Sequence, residues 1–563
     1  MIRNYRLANF KAVKEGMELL EFRDLTIFAG ANSSGKSTII QSILLLMQTI
    51  ANRENVALQL NGELVTLGQV EDVWHSGTLV DQQNATPILI EMLLRDIYDS
   101  TKYCYIRVEL LPTSATQVAL LKGYFAIGIG TNYERFSDQL SVVWRDDGYV
   151  VDAISDDLET QIRRELYTYG MTEISPLQDA KVSVEYFYPR WIEIEALTLN
   201  RDIDWPAMLT DPLTIPLDQT DIHLAIPANY WIALLRSAAN LQITGLETTT
   251  FFGFGKKQRA VTTFREYREW FGKLSSTQSL TLHELLVKQL PNIVKSVREP
   301  YNPEFLRMVK ANLDTIFTRS IRYLSANRHP PTMLFSPDAN SLWSEVGVTG
   351  SNVGSALREH AARRIRFWHP FEHQINEGFL SEALILWLQF FELVDRVEAE
   401  DRGKLGTMLK IYASGMEKEL DLTSVGFGTS QVLPIIAQGL LTPSNAVFIV
   451  EQPEVHLHPR VQSQLADFFL ALARVGVQCI IETHSEHIIN RLRLRIVEDE
   501  GTEVLKRVQI YFAERIGTES QFRKVESNEY GAISQWPEGF FDQGENENLR
   551  IARLASKKRR SKG

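Results

Sequence analysis

The sequence predicts an α/β fold interrupted by a large mixed insertion, β-rich at first and helical after. Three observations carry that reading. Leu25-Thr26-Ile27-Phe28-Ala29 is an apolar run of strand length that enters a Gly/Ser loop and then an apolar helix near Lys36. The last third alternates buried-strand runs with helical periodicity: 447–450, 460–473, 479–481 and 487–494. Between these two regions the pattern is strand-like over about 87–194 and helical over about 229–317.

The elements follow in order. Ile2, Tyr5, Leu7 and Phe10, then Met17, Leu19, Leu20 and Phe22, alternate as strands of a half-exposed sheet do. Strands are expected at 88–94, 103–111, 124–129 and 142–144, with Asp146-Asp147-Gly148 as a hairpin turn. Phe264, Tyr267, Trp270 and Phe271 recur at helical spacing, as do Phe305, Met308, Val309, Leu313 and Ile316, and are expected in the core. A strand at 321–324 stops at Asn327-Arg328-His329-Pro330-Pro331, and a helix near 382–394 follows a Gly/Ser-rich loop at 347–355. There is no internal repeat and no heptad array. The run Lys557-Lys558-Arg559-Arg560-Ser561-Lys562 is expected to be disordered. The resulting division is 1–80, an insertion at 81–320, 321–500, a small C-terminal domain at 501–545 and a basic tail at 546–563.

Composition narrows the class. With 44% hydrophobic and 23% charged residues in 563, the chain can bury a sizeable core, which excludes general disorder. A net charge of −11 argues against a non-specific nucleic-acid coat, so nucleic acid stays open as a ligand only through a local patch. Cys104 and Cys479 both sit in apolar runs, too few for a disulfide framework, which fits a reducing compartment. The N-terminus lacks a signal-peptide apolar region, and the longest apolar stretches are too short or too amphipathic to span a bilayer. A cytoplasmic protein with no membrane partner is the expectation.

The strongest motif is Gly30-Ala31-Asn32-Ser33-Ser34-Gly35-Lys36-Ser37-Thr38. It matches G-x-x-x-x-G-K-[ST] between a strand and a helix, the context that a P-loop requires. Its glycines let backbone N–H groups point at a phosphate, the helix N-terminus adds positive potential, Lys36 neutralises β/γ charge and Ser37 ligates Mg²⁺. Phe448-Ile449-Val450-Glu451-Gln452-Pro453-Glu454 is a buried strand ending in acid, where such folds place the carboxylate that holds Mg²⁺ through water. Taken alone it is weak, because strands often end in Asp or Glu. Cys479-Ile480-Ile481-Glu482-Thr483-His484-Ser485 is a second buried strand, ending in a histidine that becomes a candidate γ-phosphate sensor. Val425-Gly426-Phe427-Gly428-Thr429-Ser430-Gln431 opens a further apolar helix, a natural anion site or simply a tight turn.

The order of these motifs resembles the ABC-type heads of the SMC and chromosome-repair ATPases. More particularly it is similar to the OLD-like and Septu-type ATPases of bacterial anti-phage systems. The wording Gly426-Phe427-Gly428-Thr429-Ser430-Gln431, Glu451-Gln452-Pro453-Glu454, His456-Leu457-His458-Pro459 and Glu482-Thr483-His484-Ser485-Glu486-His487 carries that likeness. The ending Gln535-Trp536-Pro537-Glu538-Gly539-Phe540-Phe541-Asp542 resembles a small C-terminal domain that recurs in these ATPases. The resemblance covers about 1–75 and 320–545 and implies an ABC-type P-loop ATPase head. Two heads would close on two ATP molecules with Mg²⁺. Gly30, Asn32, Ser33, Ser34, Gly35, Lys36, Ser37 and Thr38 would bind nucleotide in one protomer, and Gly426, Gly428, Ser430 and Gln431 in the other. Ser37 and Glu451 would hold the metal, and Glu451, Gln452, Glu454 and His484 would serve hydrolysis.

Two departures stand out. The familiar signature has Ser before its glycines, whereas here Gly426-Phe427 occupies that place. The residue after the acidic strand end is ordinarily the catalytic Glu and here is Gln452, which can orient water but cannot take its proton. Slow turnover follows, with Glu454 as a substitute base. A glutamine-loop residue is not identified beyond a guess at Gln69. About eighty residues follow His484, too few for the TOPRIM nuclease domain of the OLD family, so any cutting is assigned to a partner. The expected role is sensor or scaffold of an anti-phage complex, a homodimer of heads or higher oligomer controlling a separate effector. That effector is expected to be a nuclease, with an HNH type as one candidate. The alternative is a DNA-repair or chromosome-maintenance ATPase acting directly on DNA. A third reading, a transporter ATPase, would need a membrane partner.

Overall fold

The computed structural model describes residues 1–52, 57–75, 86–96, 99–131, 133–145, 148–168, 171–172, 174–199, 223–227, 249–251, 259–287, 294–336, 342–413, 415, 418–533 and 543–560. Asp146 and Asp147 of the expected hairpin turn, the motif 535–542 and the last residues 561–563 lie outside them. The chain divides into two compact units. One comprises 1–136, 185–188 and 308–563, and the other 137–184 and 189–307.

The first unit is built on a mainly parallel sheet. Its elements in chain order are β1 (Leu25–Gly30), α1 (Lys36–Ala51), β2 (Ile321–Leu324), α2 (Phe427–Leu441), β3 (Val447–Glu451), α3 (Pro459–Arg474), β4 (Gln478–Thr483), α4 (Glu486–Glu498), β5 (Val508–Ile516) and β6 (Glu519–Val525). The order across the sheet is β2-β3-β4-β1-β5-β6, with only β6 antiparallel to its neighbour. Strands buried on both faces read as continuous apolar runs, and every residue of β1 and β4 is buried. This is the α/β class that the alternation of strands and helices predicted.

Helices cover the sheet with apolar faces. Leu465, Phe468, Phe469 and Leu472 of α3 join Ile435, Ile436 and Leu440 of α2 in one core cluster with Trp387, whose ring meets Phe468 edge-on at 4.9 Å. Each fully buried side chain of this kind contributes roughly 1.5–3 kcal/mol. An antiparallel sheet lies in the same unit. There Ile2–Ala8 pairs with Ile88–Arg95, which continues into Lys102–Pro112 and Val118–Ile129. The Tyr5 hydroxyl and Ser42 Oγ, 2.7 Å apart, tie its first strand to α1.

Several boundaries differ from expectation. The strands at 88–129, placed in the insertion by the sequence reading, belong to the first unit. The segment expected to stand apart at 501–545 supplies β5 and β6, and β5 lies parallel to the P-loop strand itself. The helix expected at 382–394 ends at Phe390, because Glu392 adopts φ +54° and Val394 starts a new strand. The tail is a helix over Gln543–Arg560 instead of a disordered run.

In the second unit Asp138–Arg145 and Gly148–Ile154 form an antiparallel hairpin, with strand residues 181–184, 189–199 and Val294–Tyr301 further along. The helical spacing of Phe264 to Phe271 is a helix with those same bounds. Among the described residues no helix is long and apolar enough to cross a membrane.

Candidate functional site

The P-loop is shaped by two glycines. β1 ends at Gly30 with φ +150°, and Gly35 caps α1 in the left-handed region at φ +96°. A Cβ at Gly30 would lie 2.3 Å from the Ala513 carbonyl oxygen, and one at Gly35 would lie 2.1 Å from Ser520 Oγ. Both neighbours belong to the β5–β6 hairpin, so that hairpin forms one wall of the loop. Asn32 and Ser33 are exposed at the rim. Ser34 is buried, and its hydroxyl has no hydrogen-bond partner among the described residues. Thr38 donates its N–H to the Gly35 carbonyl at 2.9 Å.

Lys36 is 3% exposed. Its ammonium donates to the Ala31 carbonyl at 2.6 Å. Burial lowers its pKa, and the nearby carboxylates of Glu482 and Glu454 oppose that shift. A desolvated cation at the mouth of a helix N-terminus is an anion receptor.

Two carboxylates meet beside it. β3 and β4 run parallel, with Glu451 opposite Glu482. Glu451 has its pKa pushed up to about 7, chiefly by burial and then by the Glu482 charge. The Ala326 N–H, the Tyr323 side chain and the Arg328 charge act in the opposite sense. Glu482 is raised by burial and steadied by Ser37, Lys36 and the Gln452 side chain. Ser37 Oγ donates to Glu482 Oε1 at 2.9 Å. For a divalent cation the donor set is right: a P-loop hydroxyl, the buried Glu482 and the half-buried Glu451. Ser37 would be a direct ligand, and such a cation would supply charge neutralisation at the phosphates.

The turn after β3 is fixed from two sides. Gln452 sits at φ +42° and donates its N–H to the Glu482 carbonyl at 2.7 Å. Arg328 donates through one nitrogen to the Glu451 carbonyl at 2.9 Å and through another to the Gln452 carbonyl at 3.1 Å. Glu454 uses both oxygens: Oε2 accepts from Thr483 Oγ1 at 2.8 Å, and Oε1 accepts from the His484 N–H at 2.6 Å. These two bonds tie the loops after β3 and β4 together and leave each Glu454 oxygen a further lone pair, so a base role for Glu454 is compatible with them.

His484 reaches the P-loop. Its half-buried ring bonds to the Gly30 backbone, and burial followed by the Lys36 charge lowers its pKa, so it is neutral at pH 7. Lys36, Ser37, Glu451, Gln452, Glu454 and His484, expected together from their motifs, thus converge. Arg328 and Glu482 were missed as functional residues. Arg328 was read only as part of a strand-stopping loop, and Glu482 only as a neighbour of His484.

The Gly-rich helix start makes its contacts elsewhere. α2 begins at Phe427, capped by Gly426, five residues before the apolar run that marked it in the sequence. Ser430 Oγ donates to the Phe427 carbonyl at 2.7 Å. Gln431 is buried, and a Cβ at Gly428 would meet only Leu457 and the His456 carbonyl at ordinary contact distance. Phe427 is 45% exposed and packs edge-on against His456 at 4.9 Å. Gln69 caps the short helix Val70–Val73.

A family model described as an AAA domain, putative AbiEii toxin of a type IV toxin–antitoxin system, matches residues 370–490. A second, described as a protein of unknown function (DUF3696), matches residues 505–551. No curated protein matches. Similar solved structures include the SMC head domain from Thermotoga maritima, at 10% identity and TM-score 0.34, covering 93% of this chain and 99% of that one. Another is the Smc head with a coiled coil and joint from Pyrococcus yayanosii, at 10% identity and TM-score 0.36, covering 93% and 97%. At such scores these likenesses decide nothing further. The AAA match spans Gly426 to His484 but not the P-loop. Taken with the P-loop, it supports a nucleotide-binding ATPase domain.

Proposed function

We propose that this chain binds Mg–ATP at the P-loop, hydrolyses it slowly, and works as the sensor or scaffold subunit of a bacterial anti-phage complex. The observation that carries the nucleotide reading is the convergence of Lys36, Ser37, Glu482, Glu451 and His484 at the mouth of α1. Lys36 and the loop N–H groups would bind phosphate, Ser37 with Glu451 would hold Mg²⁺, and neutral His484 would contact the γ-phosphate. The N-terminus of α2, where Phe427 is exposed and Ser430 bonds back to the Phe427 carbonyl, would offer its N–H groups to the nucleotide of a second head.

Slow turnover follows from Gln452. Hydrolysis needs a water aligned with the γ-phosphate and relieved of its proton, and Gln452 serves only the first need. Gln452→Glu is expected to raise steady-state phosphate release at least about tenfold, toward the 10²–10⁴ that acid–base catalysis typically gives. An unchanged rate would move the proton acceptor to another residue or chain.

The defence role is supported by the motif wording shared with anti-phage ATPases and by the toxin–antitoxin description of the matched domain. A separate effector, a nuclease, would be controlled by nucleotide-driven closure. The test is phage plating on cells carrying this gene with its neighbours. Protection that disappears in Lys36→Ala is expected. Plating equal to empty cells for the wild type, or protection untouched by Lys36→Ala, would contradict the reading.

A further inference from the structure

The geometry points to Glu482, more than Glu451 alone, as the carboxylate that binds the nucleotide's divalent cation; this rests on the nucleotide reading above. Glu482 is 2% exposed. Its Oε1 accepts the Ser37 hydroxyl at 2.9 Å and the Gln452 side chain also steadies the carboxylate, while its Oε2 is buried with no partner at hydrogen-bond geometry among the described residues. A buried carboxylate oxygen left without a donor is costly, by roughly 1–3 kcal/mol or more for a charged group, unless something positive arrives. Glu451, directly across the strand pair, is served differently: the Ala326 N–H and the Tyr323 hydroxyl already bond to it. Of the two acids, only Glu482 has a buried oxygen without a hydrogen-bond partner among the described residues.

Ser37 strengthens the assignment. A hydroxyl has one proton and two lone pairs. By accepting the Ser37 proton, Glu482 leaves both Ser37 lone pairs free to ligate a cation. Lys36 now lies beside the Glu482 charge. A divalent cation would supply further positive charge to this carboxylate. Among the described residues no three His, Cys, Asp or Glu side chains converge as a cation cage. The shell has to be completed by phosphate oxygens and water, as suits Mg²⁺, which keeps several waters and takes one or two carboxylates. Glu451 then acts as the more distant, protein-bonded acid of the pair.

The experiment is equilibrium binding of a fluorescent ATP analogue to the full chain, with Mg²⁺, with Ca²⁺ and with EDTA, for wild type, Glu482→Gln and Glu482→Asp. Wild type is expected to gain affinity on adding Mg²⁺. Glu482→Gln is expected to bind equally well or better in EDTA and to lose at least about tenfold of the Mg²⁺ gain. Glu482→Asp, one methylene shorter, is expected to fold and to shift preference from Mg²⁺ toward the larger Ca²⁺. Glu482→Gln keeping the full Mg²⁺ gain, or losing affinity equally in EDTA, overturns the assignment, as does an unchanged ion preference in Glu482→Asp. A wild type that binds no analogue under either condition would instead remove the nucleotide reading itself.

Discussion

Lys36→Ala is expected to weaken ATP binding by at least about a hundredfold, near 3 kcal/mol. The ammonium lies at the start of α1 with its stem buried, held by one carbonyl and desolvated. It is the only side-chain cation that the P-loop itself supplies to the phosphates. Removing it leaves the loop N–H groups and the helix dipole, which together give a far weaker anion site. The fold should survive, because the stem packs without a buried ion pair of its own. Equilibrium titration of purified protein checks the affinity, and thermal melting confirms folding. Equal affinity in the two proteins would end the P-loop assignment.

Glu454→Ala is expected to destabilise the fold by roughly 1–3 kcal/mol for each buried donor left unpaired. Thr483 Oγ1 and the His484 N–H would both lose their acceptor in a buried place. The loop that carries His484 to Gly30 would loosen, so ATP hydrolysis should fall with stability. Glu454→Gln should be milder: its amide oxygen can still accept from one donor, while its NH₂ faces the other. Thermal melting of the two variants measures this. A Glu454→Gln protein with wild-type melting but no hydrolysis would identify Glu454 as the proton acceptor.

Much of the site could be read from local sequence, and the reason is physical. The P-loop is one continuous segment whose glycines, lysine and flanking apolar runs all sit within a few positions of each other. The strand ends at Glu451 and His484 were legible because fully buried strands read as apolar runs that stop at polar residues. What escaped needed contacts between distant segments. Glu482 gains its meaning from lying opposite Glu451 across the β3–β4 pair and within reach of Ser37. Arg328 is an ordinary loop residue until β2 sets it against the carbonyls of Glu451 and Gln452. The β5–β6 hairpin read as part of a separate C-terminal domain. Nothing in its own sequence announces that Ala513 and Ser520 press on the glycines of a loop almost five hundred residues earlier. Helix ends shifted for local reasons: α2 starts at Phe427 because Gly426 caps it and Ser430 bonds back, neither of which shows as apolar periodicity.

Steady-state phosphate release from the purified wild-type chain, measured across ATP concentrations with and without Mg²⁺, tests the ATPase assignment most directly. The expected result is saturable release that requires Mg²⁺, runs below the roughly 10 s⁻¹ enzyme median and disappears in Lys36→Ala. Release that is absent while ATP is bound, or that persists in Lys36→Ala, would contradict it.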